Sequence, residues 1–225
     1  MIGFSFSPGG LLLPYHLGVL ASLAHHGYVT PETHLAGSSA GAIAVAAHAC
    51  KVPPMVALEA SVQISQQCNP VFLAKGRLMP TLQEALHRLL PPHANTIVNE
   101  RPGVIGLAHL ELYPRTHPVL QTQQFATREC LIDAVCDSSM FPYFTSNKPF
   151  RWVQRPGHAT PRVVVDGFFT EPLWRFGCPD LEKRLSVTDA RIDRCVNVSV
   201  FPMELVDRRL AVKGNAHRRN VISPK

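Results

Sequence analysis

Paired cysteines are missing from this chain: its six (Cys50, Cys68, Cys130, Cys136, Cys178 and Cys195) form no C-x-x-C pair and no zinc-ligand spacing. At 225 residues it is large enough to fold on one apolar core, so neither a disulfide scaffold nor a zinc module is expected. Reduced thiols point to a cytosolic protein. Charge is also scarce, at 17% Asp, Glu, Lys and Arg against 46% hydrophobic residues, which excludes a disordered chain and fits one globular domain. Long apolar runs are absent: Leu11 to Ala24 is broken by Pro14 and His16, and Ala40 to Cys50 by His48, so no membrane span is expected. No basic start followed by an apolar run and a cleavage site is present, so no signal peptide is expected either. Internal repeats and low-complexity segments are lacking.

The charge that exists is unevenly placed. Of the formal net charge of +6, the stretch from Asp207 to the end carries six Lys or Arg (Arg208, Arg209, Lys213, Arg218, Arg219, Lys225) against one Asp. This divides the chain into a nearly neutral body over residues 1–206 and a basic tail over 207–225. No nucleic-acid-binding face follows from such a distribution. A solvated end fits it, as does a tail that docks on anionic lipid headgroups.

Hydrophobic periodicity sorts the body into alternating strands and helices. Ile2 to Ser7 reads as a short strand that meets Pro8-Gly9-Gly10, and a helix follows through Gly18 to His26, ended by Gly27. Ala42 to Cys50, Met55 to Gln67, Thr81 to Leu90 behind a Thr N-cap, and Phe125 to Val135 read as further helices. Gly103 to Leu112, Arg162 to Val165 and Cys195 to Phe201 read as strands. Such alternation predicts an α/β fold, a three-layer sandwich with a central, mostly parallel sheet between helices.

Gly37-Ser38-Ser39-Ala40-Gly41 fits the G-x-S-x-G nucleophile elbow, in which a tight strand-to-helix turn pushes the central serine outward. Gly37 and Gly41 permit the close backbone approach, and Ser39 then stands at a helix N-terminus that favours developing negative charge. A serine hydroxyl needs a base. An α/β-hydrolase would supply an acid and then a histidine downstream, but only His217 follows the best acid, Asp166, and His158 precedes it in a loop containing Pro and Gly. Asp166 closes the run Val163-Val164-Val165 and precedes Gly167, where α/β sheets build their sites. A serine with an aspartate as its base is therefore favoured over a Ser-His-Asp esterase.

These residues resemble a patatin-like phospholipase domain, nearest to the adiponutrin type. The likeness runs through Phe4 to Gly10, Tyr15 to Val19, Ala36 to Ala44, Cys136 to Phe144, Val165-Asp166-Gly167 and Val198 to Phe201. It implies a Ser39-Asp166 dyad without metal or cofactor, an oxyanion loop at Gly9 and Gly10, and hydrolysis of phospholipid or acylglycerol esters through an acyl-Ser39 intermediate. It also implies a peripheral membrane or lipid-droplet surface as partner. Two departures stand out. The family's loop reads Gly-Gly-Gly-x-Arg/Lys-Gly where this chain has Pro8-Gly9-Gly10-Leu11-Leu12-Leu13, and Phe168 replaces a small residue after Asp-Gly. Pro8 has no N–H to donate. A catalytically weak, lipid-binding scaffold is the alternative that follows. If Leu13 simply stands in for the family's glycine, Leu13→Gly should raise turnover or leave it unchanged. Leu11, Leu12 and Leu13 are expected either to face lipid or to pack inside the first helix.

Overall fold

The computed structural model describes residues 2–68, 76–155, 160–185, 192–201 and 221–222. His158, His217 and all six basic residues of the tail lie outside them. Eight strands form one sheet: β1 (Ile2–Phe6), β2 (His34–Ser38), β3 (Ile105–Tyr113), β4 (His117–Gln121), β5 (Arg151–Val153), β6 (Arg162–Asp166), β7 (Arg194–Val198) and β8 (Val221–Ile222). The order is β5-β6-β3-β2-β1-β7-β8, with β4 also paired to β3. Among the described residues seven α-helices accompany it: α1 (Leu13–His25), α2 (Ala40–Ala49), α3 (Pro54–Gln67), α4 (Leu78–Leu89), α5 (Ala94–Asn99), α6 (Arg128–Ser138) and α7 (Leu181–Leu185).

The sheet is mixed, so the expectation of a mostly parallel one holds only in part: four of the strand pairings are parallel and three antiparallel. The β2-β1-β7-β8 half and the β2-β3 pair are parallel, whereas β4 and β6 run antiparallel to β3, and β5 antiparallel to β6. The reason lies in the connections. Only a short turn separates β3 from β4, and a hairpin cannot return a strand parallel to its neighbour.

Alternation along the strands decides which face is buried against what. Phe4 and Phe6 of β1, Leu35 of β2, Ile105 and Leu107 of β3 and Val198 of β7 form one core with α1, α2, α5 and α6. The opposite face carries a smaller cluster in which Ala36 and Cys195 meet Leu181 and Leu185 of α7. Helices therefore lie on both faces, unequally. All six cysteines are free. Among the described residues no helix is long and apolar enough to cross a membrane.

Two helix starts differ from the sequence expectation. Leu78 begins α4 three residues before Thr81, whose hydroxyl donates back to the Arg77 carbonyl at 2.9 Å and so lies inside the helix, not at its cap. The N-cap of α6 is Thr127, which accepts the Cys130 N–H at 3.1 Å.

Candidate active site

The register of β3 brings the two halves of the site together. β4 occupies one edge of β3 along Leu107 to Glu111, so β2 and β6, which both overlap that stretch, must share the other edge. They run toward each other. Ser38 lies opposite Ala108, Asp166 opposite the next residue, His109, and the carboxyl ends of β2 and β6 meet head to head.

Ser39 follows the end of β2 with φ 53° and ψ −119°, a strained conformation for a non-glycine residue, and α2 starts at the next position. Two glycines make this turn possible. A Cβ on Gly37 would fall on the Gly41 carbonyl, and one on Gly41 would lie 2.5 Å from the Phe6 carbonyl oxygen on β1. The elbow is also held from outside, because the Ser39 N–H donates to both the carbonyl (3.1 Å) and the hydroxyl (3.0 Å) of Ser138 at the end of α6.

Asp166 is fully buried. Its N–H donates to the Met140 carbonyl at 2.9 Å, and its Oδ1 accepts the Phe168 N–H at 2.8 Å. Gly167 packs against the Ala108 carbonyl and the Ser38 side chain, where any Cβ would collide. Burial pushes the carboxyl pKa up to about 7, opposed by the Phe168 N–H and the nearby Ser39 hydroxyl. Oδ2 has no well-formed hydrogen bond, although it is buried. It is thus an acceptor left open beside the serine, and such contacts commonly tighten only when substrate arrives.

Residues 138–140 therefore position both members of the pair, one through Ser138 and the other through Met140. Asp137, 1% exposed, fixes that segment from behind through ion pairs with Arg151 and, at 2.9 Å, Arg155. These positioning roles are invisible to periodicity, since each is a contact between distant parts of the chain.

Gly9 and Gly10 follow β1 and border the same cavity as Ser39, and Gly10 has φ 53°. Among the described residues no protein acceptor takes the N–H of either glycine, nor that of Ala40 at the start of α2. Three donors are thus open at the cavity. Ala40 was missed in the sequence, although its place directly after the elbow serine is the signal that finds it. The loop is anchored by Ser7, whose carbonyl accepts from His16 Nε2 at 2.7 Å and whose hydroxyl accepts the Val200 N–H at 3.2 Å. His16 is neutral in this place, because burial lowers its pKa to about 4.

The cavity at Ser39 has a volume of about 400 Å³ and is overwhelmingly apolar. Phe141, Phe144 and Phe168 form part of its wall, with the Phe168 ring 5.9 Å from Phe141 and the Phe169 ring stacked on Phe141 at 5.4 Å. Phe168 thus contributes both a backbone donor to Asp166 and a wall. No histidine lines the cavity among the described residues, and no group of three His, Cys, Asp or Glu side chains is arranged to hold a metal ion.

The three leucines divide. Leu12 is 54% exposed beside the cavity, whereas Leu11 and Leu13 turn inward to line it. Leu13 is the first residue of α1 and belongs to the main core, so the expectation for Leu13→Gly is overturned. That change removes a buried side chain and is expected to cost about 3 kcal/mol of stability. Chemical denaturation should show a lower midpoint than the unaltered chain, with lower turnover following from the lost wall.

Comparison with models of known protein families yields no match to this chain, and comparison with curated proteins yields none either.

Proposed function

We propose that this chain is a serine acyl hydrolase of the patatin-like type, acting on lipid esters through a Ser39-Asp166 dyad without metal or cofactor. One observation carries the proposal: an elbow serine at positive φ stands beside a fully buried carboxylate whose pKa is near 7 and whose Oδ2 is open. A group with that pKa can accept a proton at neutral pH and return it later.

In the proposed reaction Ser39 Oγ attacks the ester carbonyl carbon while its proton passes to Asp166 Oδ2. Negative charge on the carbonyl oxygen is met by N–H groups from Gly9, Gly10 and Ala40, donors of the kind whose individual loss costs about 10²–10³ in rate. Collapse breaks the bond to the alcohol, which departs with the proton from Asp166 and leaves acyl-Ser39. Asp166 then takes a proton from water, the resulting hydroxide attacks the acyl carbon, and the acid is released as Ser39 regains its proton. The apolar cavity suits a lipid acyl chain, and exposed Leu12 and Phe169 near its mouth suit a peripheral lipid surface.

A fluorophosphonate probe tests this directly. Mapping of the adduct to Ser39 is the expected result, and a folded protein that resists labelling would sink it. A second proposal, a lipid-binding scaffold with little turnover, is favoured by Pro8, which occupies the loop beside Ser39 without an N–H to offer. It gains if the folded chain binds lipid but stays unlabelled.

A further inference from the structure

Behind the cavity lies a second void of about 20 Å³, buried between α1, α2, α3 and α4. Leu13, Ile43, Ser61, Ile64 and Leu82 line both spaces, so one layer of side chains is all that separates them. The void falls where two core clusters adjoin: Leu13 and Leu82 belong to the main core, Ile64 and Ala85 to a smaller cluster between α3 and α4.

We propose that the cavity and this void are the two ends of one acyl channel, and that Leu82, seated with Ile64 and Ile43, is the gate that sets the acyl-chain length accepted. The proposal rests on the acyl-hydrolase reading and names the part of the substrate that this end of the site takes: a single unbranched acyl chain. Helix α4 forms the track. Its residues Leu78 and Leu82 line the cavity, and Ala85, Leu86 and Leu89, further along the same stripe, line the void.

The chemistry of the path excludes a polar occupant. Every side chain around the void is apolar except Ser61, whose hydroxyl donates to the Leu58 carbonyl at 2.7 Å. A space of this size offers water one side-chain partner, the Ser61 hydroxyl, which is too few to hold it, and its lining forgoes dispersion contacts that a chain terminus would supply. Beyond the gate Ala47, Ala57, Ala60 and Ala85 stand among the leucines of the wall, and their short side chains leave room for methylenes once Leu82 is shortened.

The test compares the unaltered chain, Leu82→Ala and Ser61→Leu on p-nitrophenyl esters of butyrate, octanoate, dodecanoate and palmitate. Leu82→Ala is expected to raise the palmitate-to-octanoate ratio of kcat/KM about tenfold or more, since each methylene gained in an apolar pocket is worth roughly that factor. Ser61→Leu, which adds bulk at the same partition, is expected to lower the ratio and so covers the case in which Leu82→Ala fails to fold. Each gate change is also placed in a Ser39→Ala background, where fatty acids of the same lengths displace an apolar fluorophore without turnover. The same ordering of lengths there supports the channel even if no ester is hydrolysed, an outcome that would remove the hydrolase reading alone. Unchanged ratios and unchanged fatty-acid affinities in folded variants would overturn the gate.

Discussion

Replacement of Ser39 by Ala, or of Asp166 by Asn, is expected to lower ester hydrolysis by about four orders of magnitude or more, because members of a catalytic pair act as one unit. Both changes spare the fold. Ser39→Ala deletes one oxygen and keeps the N–H that Ser138 accepts. Asp166→Asn keeps an Oδ1 for the Phe168 N–H but places an amide, or an oxygen too weakly basic to take a proton, toward the serine. Turnover with a short chromogenic ester and circular dichroism, measured side by side, check both halves of the claim. The paired expectation is that no single His→Ala change abolishes hydrolysis. Retained activity in Asp166→Asn would remove the aspartate from its role, and loss of activity in His158→Ala would identify a histidine base instead.

A buried carboxyl with a raised pKa also gives activity and stability opposite dependences on pH. The base must be ionised, so kcat/KM is expected to rise about tenfold per pH unit on the acid side and to level off above about 7, the pKa that burial gives Asp166. Stability runs the other way. In the unfolded chain the carboxyl ionises near its ordinary value of 3.8, so the folded form holds the proton more tightly. The stability linked to that proton is fully present below the unfolded pKa and is lost as pH rises through the folded one. Across that window it amounts to something on the order of 4 kcal/mol, at about 1.36 kcal/mol per unit. Asn at the same place carries no such charge. Asp166→Asn should therefore match the unaltered chain near pH 4 and exceed it by several degrees in Tm above pH 7, as thermal unfolding at both ends of the range would show. An equal difference in Tm at both pH values would mean that the carboxyl is not held neutral by burial.

Much of this arrangement was legible in the sequence where the signal is local. The elbow is written in five consecutive residues, Gly37 to Gly41, and the strand ending at Asp166 in a run of three valines. Both fall where they were expected. The antiparallel half of the sheet was not legible. β4 is half-exposed and carries Pro118, and β5 has three residues, so neither shows a period long enough to count. The supports of the site were illegible for a different reason: Ser138 and Met140 act through hydrogen bonds to residues remote in sequence, and no pattern of hydropathy encodes a partner. Leu13 was misjudged because alignment with a glycine describes a loop, whereas this chain spends the position on the first turn of α1 and on the core.

The head-to-head meeting of β2 and β6 on one edge of β3 makes the order of folding part of the chemistry. The elbow can form early, from contacts among β1, β2 and α2 that are close in sequence. Its base cannot, because Asp166 reaches Ser39 only after β6 has paired with a strand some fifty residues before it, a closure that is slow for entropic reasons. The pairing must also settle in one register, across an irregularity between Glu111 and Tyr113. A slip of one residue would turn Asp166 to the other face of the sheet. A nascent or partly refolded chain would thus own a serine in its strained turn without the carboxylate proposed to activate it, and any hydrolysis by the proposed pair would wait on the β3-β6 pairing. Under the proposed reading, attack on lipid esters waits on that pairing.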